Sequence, residues 1–288
     1  MSNQHSDRIR IGFVGLGDIG GPMASRCMAA GFEVTLWARR QETFAQFTEH
    51  SYRQTETAAE MGSFSDVVGV AVFSEDDVHE VVLGAGGIVE GMAAGGIILI
   101  HSTVTIEFAE RLAEQCRAFG IVVMDVPVSG LRARALTGEL TVMAGGPTEA
   151  YRTVLPMLKA MGSHVHRHGE VGSGLQAKAL NQVLLVANMA TACLALEAGE
   201  RLGLNRSSVA RTMISATGAS VGLDLVSGRM SEEPEFRELA TRIAAKDLQA
   251  FDALVRSRAV EADQLRAIAG KAFDLFERLP AQEAQQSE

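Results

Sequence analysis

Up to residue 170 the chain alternates short apolar runs with longer stretches whose apolar positions fall three and four apart. Ile9–Val14, Phe32–Trp37, Asp66–Phe73, Gly96–Ile100 and Ile121–Asp125 are too short for buried helices and carry β-branched residues, so each is expected to be a strand. The stretches between them read as helices, beginning with Pro22–Ala30, which Gly31 closes. Strands spaced by helices imply right-handed crossovers and a parallel sheet with helices on both faces.

Past Gly172-Ser173-Gly174 the texture changes. Leu175–Leu202 is apolar almost all round, the pattern of a helix buried on most of its faces. Ser207–Ala216, Phe236–Val255 and Val260–Leu279 continue as helices, with no strand pattern among them. The expected division is an α/β domain over 1–170 and an all-α domain over 171–288, ending in a polar tail after Pro280.

Composition removes several classes of function. With 288 residues, 47% hydrophobic and 21% charged, the chain is long and apolar enough for packed cores, which excludes wholesale disorder. A net charge of −9 argues against a nucleic-acid partner, whose phosphates call for clustered Lys and Arg. Cys27, Cys116 and Cys193 lie far apart without a Cys-x-x-Cys pair, as reduced thiols would. The first residues are polar and lack a signal-peptide core, and Asn188 interrupts the longest apolar stretch, Val183–Leu196. The expectation is a cytoplasmic protein with no membrane partner.

Gly15-Leu16-Gly17-Asp18-Ile19-Gly20 lies between the first expected strand and the first expected helix. In that context each glycine has a physical purpose. Gly15 allows the tight turn, Gly17 lets a pyrophosphate approach the backbone, and Gly20 lets the helix pack on the strand. The helix start then offers N–H groups and a partial positive charge to phosphate. The second strand ends in Ala38-Arg39-Arg40 rather than in the carboxylate that would hold a ribose 2′-hydroxyl. Arginine pairs with a 2′-phosphate, so NADP is expected in preference to NAD, with Arg39 and Arg40 at that phosphate.

Four blocks occur in order: Gly12–Ala24; Asp125–Gly130 with its continuation Leu140–Gly146; Gly172–Asn181; and Lys246-Asp247-Leu248. Together they resemble the β-hydroxyacid dehydrogenase family, that of 3-hydroxyisobutyrate dehydrogenase, over essentially the whole chain. The resemblance implies a Rossmann-type doubly wound parallel sheet followed by an all-α C-terminal domain that carries substrate contacts and homo-oligomer contacts. It places the family's proton-donating lysine on Lys178 and its substrate-carboxylate turn on Ser129 and Gly130. The neighbouring substrate positions fall on Leu131, Asn181 and Gln182, and cofactor contacts on Val72, Phe73, Thr103 and Lys246. The implied ligand is a small anionic hydroxy acid, and the implied assembly a homodimer or a higher oligomer.

The chemistry suits these residue types without the family. Hydride transfer to a carbonyl leaves negative charge on oxygen, which an ammonium can stabilise and protonate. Lys178 begins an apolar helix just after a glycine pivot at the domain boundary, and Asn181 follows one turn on. A serine hydroxyl beside exposed backbone N–H groups makes a nest for a carboxylate. Departures from the family cluster where substrate would bind. Leu131 stands where a second glycine is usual, Gln182 where a second asparagine is, and Ile100 where an aspartate is common. These point to an unusual substrate. Two other functions fit parts of the pattern: an imine reductase, in which the lysine position usually carries another residue, and a non-catalytic NADP(H) sensor. His164, His166 and His168 alternate as a solvated strand end would, with no carboxylate or cysteine cluster to complete a metal site.

Overall fold

The computed structural model describes residues 9–279. Its first half runs β1 (Ile11–Val14), α1 (Gly20–Ala29), β2 (Val34–Trp37), a 3₁₀ turn, β3 (Arg53–Gln54), α2 (Ala58–Ser63), β4 (Val67–Val70), α3 (Glu75–Leu83), α4 (Ile88–Gly91) and β5 (Ile97–Ile100). It continues through α5 (Ile106–Arg117), β6 (Val122–Asp125), β7 (Val128–Ser129), α6 (Leu131–Thr137), β8 (Thr141–Gly145), α7 (Thr148–Met161) and β9 (His164–Gly169). The helical part comprises α8 (Ser173–Arg201), α9 (Arg206–Ser215), α10 (Val221–Ser227), α11 (Arg229–Glu232), α12 (Pro234–Ser257), α13 (Asp263–Gly270) and α14 (Ala272–Glu277).

The sheet order is β3-β2-β1-β4-β5-β6-β8-β7, with β9 on β8. The first six strands are parallel, in the order 3-2-1-4-5-6 of dinucleotide-binding sheets. Every residue of β1, β4 and β5 is buried, as central parallel strands covered on both faces must be. The expected doubly wound parallel sheet is present, and past β6 it gains an antiparallel edge, where β8 runs antiparallel to β6 and β7. The reason is local: after β7 the chain folds back through the short α6 instead of crossing a sheet face. The longer α7 then returns the chain for a parallel β9.

The chain divides into two compact units, Met1–Lys178 and Ala179–Glu288, a little beyond the sequence-expected boundary and inside α8. In the first unit, Ile11, Phe13, Met23, Leu36, Met124 and Met157 belong to one buried cluster between sheet and helices. In the second, Val183, Val186, Ala190 and Cys193 form one stripe of α8 against Leu223, Met230, Leu248, Phe251 and Phe276. That stripe corrects the expectation of a helix buried on most faces, because Leu180, Leu184 and Leu194 are exposed. By length and composition α8 would suffice to cross a bilayer, a description that a core helix also meets.

Candidate active site

The glycine turn leaves the carboxyl end of β1. Gly15 has φ +82°, and a Cβ there would lie 2.3 Å from the Ala71 carbonyl oxygen. A Cβ on Gly20 would lie 2.0 Å from the Gly15 oxygen, so helix and turn touch through backbone alone. Around the corresponding position of Gly17 there is nothing within 4 Å. Crowding at the outer glycines and open space at the middle one fit a pyrophosphate lying against the turn. The cap residue of α1, Ile19, has no side-chain oxygen and the first turn carries no acid, so no side chain competes with an anion there. Leu16 is buried beneath the turn and its carbonyl accepts from Gln46 Nε2 at 2.9 Å. Gln46 is a support that sequence reasoning missed. Asp18 points outward, and Arg132 Nη1 approaches its Oδ1 to 3.4 Å.

The other expected cofactor residues leave the same edge of the sheet, since Val14 pairs with Trp37 and Val70, and Val70 with Ile100. Val72 is half-buried, its carbonyl accepting from Ser102 Oγ at 2.7 Å, whereas Phe73 is 87% exposed. Thr103 is exposed beside the buried Ser102. His101 is buried and stacked on Phe13, with Nδ1 2.8 Å from the Val126 carbonyl. Burial pulls its pKa down to about 4, which keeps the ring neutral and ties β5 to β6. Arg39 donates through Nη1 to Asp77 Oδ1 at 3.1 Å and through Nη2 to Glu80 Oε2 at 2.8 Å. Arg40 lies 4.0 Å from Glu42, both side chains being exposed.

The proton-transfer candidate stands where β6 meets α8. Asp125, the last residue of β6, is fully buried, and both its oxygens accept from the start of α8: Gly172 N at 2.7 Å and Leu175 N at 2.8 Å. Burial raises its pKa to about 6, against the pull of those backbone N–H groups. A Cβ on Gly145 would lie 2.3 Å from Asp125 Oδ1, so the fit admits no side chain there. One turn into the helix, Lys178 Nζ donates to the Val128 carbonyl at 3.0 Å. The ammonium is thereby brought beside the Ser129–Gly130 turn. Gly130 has φ +141°, and Leu131, 61% exposed, holds the left-handed φ of +57° where a glycine would be unstrained. The sequence reading assigned Asp125 no role; the available signal was an acid ending a buried strand, a residue type that stays buried only with partners.

In the second unit, Asn181 Nδ2 donates to Gln182 Oε1 at 2.9 Å, and Gln182 Nε2 donates to Asp247 Oδ2. Gln182, expected to face substrate, thus donates to a buried carboxylate of α12, next to the exposed Lys246. Asp247 was also missed. His164, His166 and His168 line the exposed face of β9, and among the described residues no three His, Cys, Asp or Glu are placed to hold a metal.

A dinucleotide-binding sheet with a lysine beside a serine–glycine turn defines a class, the NAD(P)-dependent oxidoreductases. Comparison with known proteins narrows it. Residues 10–169 match the NAD-binding domain of 6-phosphogluconate dehydrogenase, and residues 172–287 match the NAD-binding domain of NADP-dependent 3-hydroxyisobutyrate dehydrogenase. The chain belongs to the β-hydroxyacid dehydrogenase family. A 3-hydroxyisobutyrate dehydrogenase of Pseudomonas aeruginosa is 30% identical over 280 residues, 94% of this chain and 93% of that one. An L-threonate dehydrogenase of Cupriavidus necator is 35% identical over 196 residues, 68% of this chain. The matched stretches span 61% and 66% of the first two curated relatives' own lengths. In fold the chain resembles Mycobacterium tuberculosis 3-hydroxyisobutyrate dehydrogenase with L-serine, at 21% identity and a TM-score of 0.79 over 94% of this chain and 93% of that one. A Streptomyces aurantiacus imine reductase shares the fold at 20% identity and a TM-score of 0.63, over 93% of each chain.

Two predictions follow from this geometry. Gly20→Ala is expected to cost about 1–3 kcal/mol of stability by overpacking, whereas Gly17→Ala leaves stability within about 0.5 kcal/mol and weakens dinucleotide binding. Urea unfolding with fluorescence titration of NADPH checks both, and equal stability losses would refute the assignment. Asp125→Asn offers one acceptor oxygen for two donors, and its expected cost at pH 7 is about 1–3 kcal/mol. The Asp125 carboxyl has a folded pKa of about 6 against an ordinary 3.8. On acidification the folded chain therefore takes up this proton first, so its contribution to stability grows as pH falls through 6 and levels off below 3.8. The gap between wild type and Asp125→Asn should widen by about 1 kcal/mol between pH 7 and pH 5; a gap independent of pH would contradict this.

Proposed function

We propose that the chain interconverts a small β-hydroxy acid and its semialdehyde or keto acid, with Lys178 as general acid and base and NADP preferred over NAD. The observation that supports this most is the Lys178 ammonium held 3.0 Å from the Val128 carbonyl, at the entry to the Ser129–Gly130 turn. A nicotinamide dinucleotide, when bound, supplies or accepts the hydride. In the reducing direction Lys178 stabilises the charge developing on the substrate oxygen and gives up a proton to it. In the oxidising direction the neutral amine takes the hydroxyl proton. The Ser129 hydroxyl and the backbone N–H groups of the turn suit the substrate carboxylate. Asn181, one turn beyond Lys178 on α8, adds an amide on the same helical face. The NADP preference rests on Arg39 and Arg40 and on the missing acid at the tip of β2.

The relatives' names carry 3-hydroxyisobutyrate and L-threonate, which are the first acids to try. The imine reductase reading is favoured by the shared fold and disfavoured by the retained lysine.

A panel of hydroxy acids, their carbonyl forms and cyclic imines, with both dinucleotides, is expected to give turnover of the acids. Lys178→Ala should lower kcat by about 10²–10⁴-fold with dinucleotide affinity unchanged. Turnover of imines alone, or an alanine variant as active as wild type, would sink the proposal. Leu131→Gly relieves a left-handed leucine and is expected to raise stability by roughly 0.5–1 kcal/mol, while shifting KM among acids of different bulk. An unchanged thermal midpoint together with an unchanged substrate profile would show that the residue governs neither.

A further inference from the structure

Arg39 leaves the tip of β2, whereas Asp77 and Glu80 stand on α3, which follows β4. β2 and β4 are the two neighbours of β1, hence roughly 10 Å apart. The two ion pairs, at 3.1 and 2.8 Å, therefore reach across the end of β1 where the glycine turn begins. One guanidinium is held there between two carboxylates, so the cluster carries a net negative charge. A ribose 2′-hydroxyl is neutral, is not repelled by that charge and can bind with both ion pairs in place. A 2′-phosphate, with nearly two negative charges, is repelled and must draw Arg39 away from the acids that hold it.

The two acids are not equivalent. Ser74 N and Oγ both donate to Asp77 Oδ2, while Asp77 N donates to Ser74 Oγ, so Asp77 closes the capping box of α3. The Ser74 hydrogen bonds, and then Arg39, hold its carboxyl below the usual carboxylate range. Glu80 has no part in the cap, and its side chain is 69% exposed. It is the acid whose charge can be removed while the helix stays intact.

We propose that Glu80 sets how strongly this chain prefers NADP to NAD, by holding Arg39 in competition with the 2′-phosphate. The inference rests on the dinucleotide reading above and deepens it. Glu80 acts through Arg39 and touches no reacting atom. Its effect should therefore appear in binding of the phosphorylated dinucleotide alone, and only while Arg39 is present.

Calorimetric titration of NADPH and NADH into wild type, Glu80→Gln, Arg39→Ala and the double variant tests this without any substrate. Glu80→Gln is expected to tighten NADPH by about two- to fivefold, the range of an exposed ion pair, and to leave NADH within about 1.5-fold. On the Arg39→Ala background the same change should have no effect on either ligand. The inference falls if Glu80→Gln leaves NADPH binding unchanged or weakens it, if NADH gains equally, or if the gain persists without Arg39. Wild type that binds neither dinucleotide would overturn the cofactor reading itself, and this inference with it. Wild type that binds both, with no selective gain in Glu80→Gln, overturns the inference alone.

Discussion

A carboxylate taken out of water must be surrounded by donors or it will not stay charged, and the first unit is organised around one such group. Asp125 ends β6 with no exposed surface, and the donors it finds are the backbone N–H groups at the start of α8. Those groups would otherwise be orphans, as every helix start leaves some. One buried interaction thus solves two problems, the charge on the strand and the open end of the helix. It also fixes where α8 starts relative to the sheet. Lys178 lies one turn further on, and Val128, three residues after Asp125, receives its ammonium. The strand end and the helix start are joined at two points, and the Ser129–Gly130 turn emerges from that joint.

The same economy of backbone contact shapes the cofactor edge. At Gly15 and Gly20 the chain touches itself so closely that a methyl group would collide with carbonyl oxygens. The glycine between them faces open space. A turn that needed glycine only for flexibility would not divide its positions into two crowded and one vacant. The neutral His101 adds rigidity without charge by linking β5 and β6 close to the exits of Thr103 and Ser129. The charged members, Arg39, Arg40, Asp77 and Glu80, stand at the surface, where they can exchange partners at little cost.

Much of this was legible in the sequence. The parallel core followed from short β-branched runs spaced by helices, and the glycine turn from its place between strand and helix, because both are consequences of local periodicity and backbone sterics. The antiparallel β7–β8 edge was not legible, since Val128-Ser129 is too short to carry a strand pattern and its direction depends on how α6 folds back. The exposed leucines of α8 were misjudged for a related reason: composition does not say which sides of a helix have neighbours. At the candidate site, Lys178, Ser129 and Gly130 were assigned through motif order. Asp125, Gln46 and Asp247 were not, because their roles depend on contacts distant in sequence. Gln182, assigned by position as a substrate contact, also donates to Asp247, a contact that the sequence order does not indicate.

Leu131 ties these observations together. A leucine at φ +57° carries a strain of about 1–2 kcal/mol, and a loop free to relax would not keep it. The loop is not free. Lys178 grips the Val128 carbonyl just before it, and α6 ends just after it at Gly138, whose φ of +73° is set against Arg26 and the Ala160 carbonyl. Between those fixed ends the backbone course is imposed, and the side chain at 131 is left to vary without altering it. Positions that carry the backbone geometry, Gly15, Gly20, Gly130 and Asp125, follow the family pattern here, while Gln182, the exposed Leu131 and the buried Ile100 depart from it in the side chain alone. A scaffold with that division can change what it binds without changing how it holds its lysine.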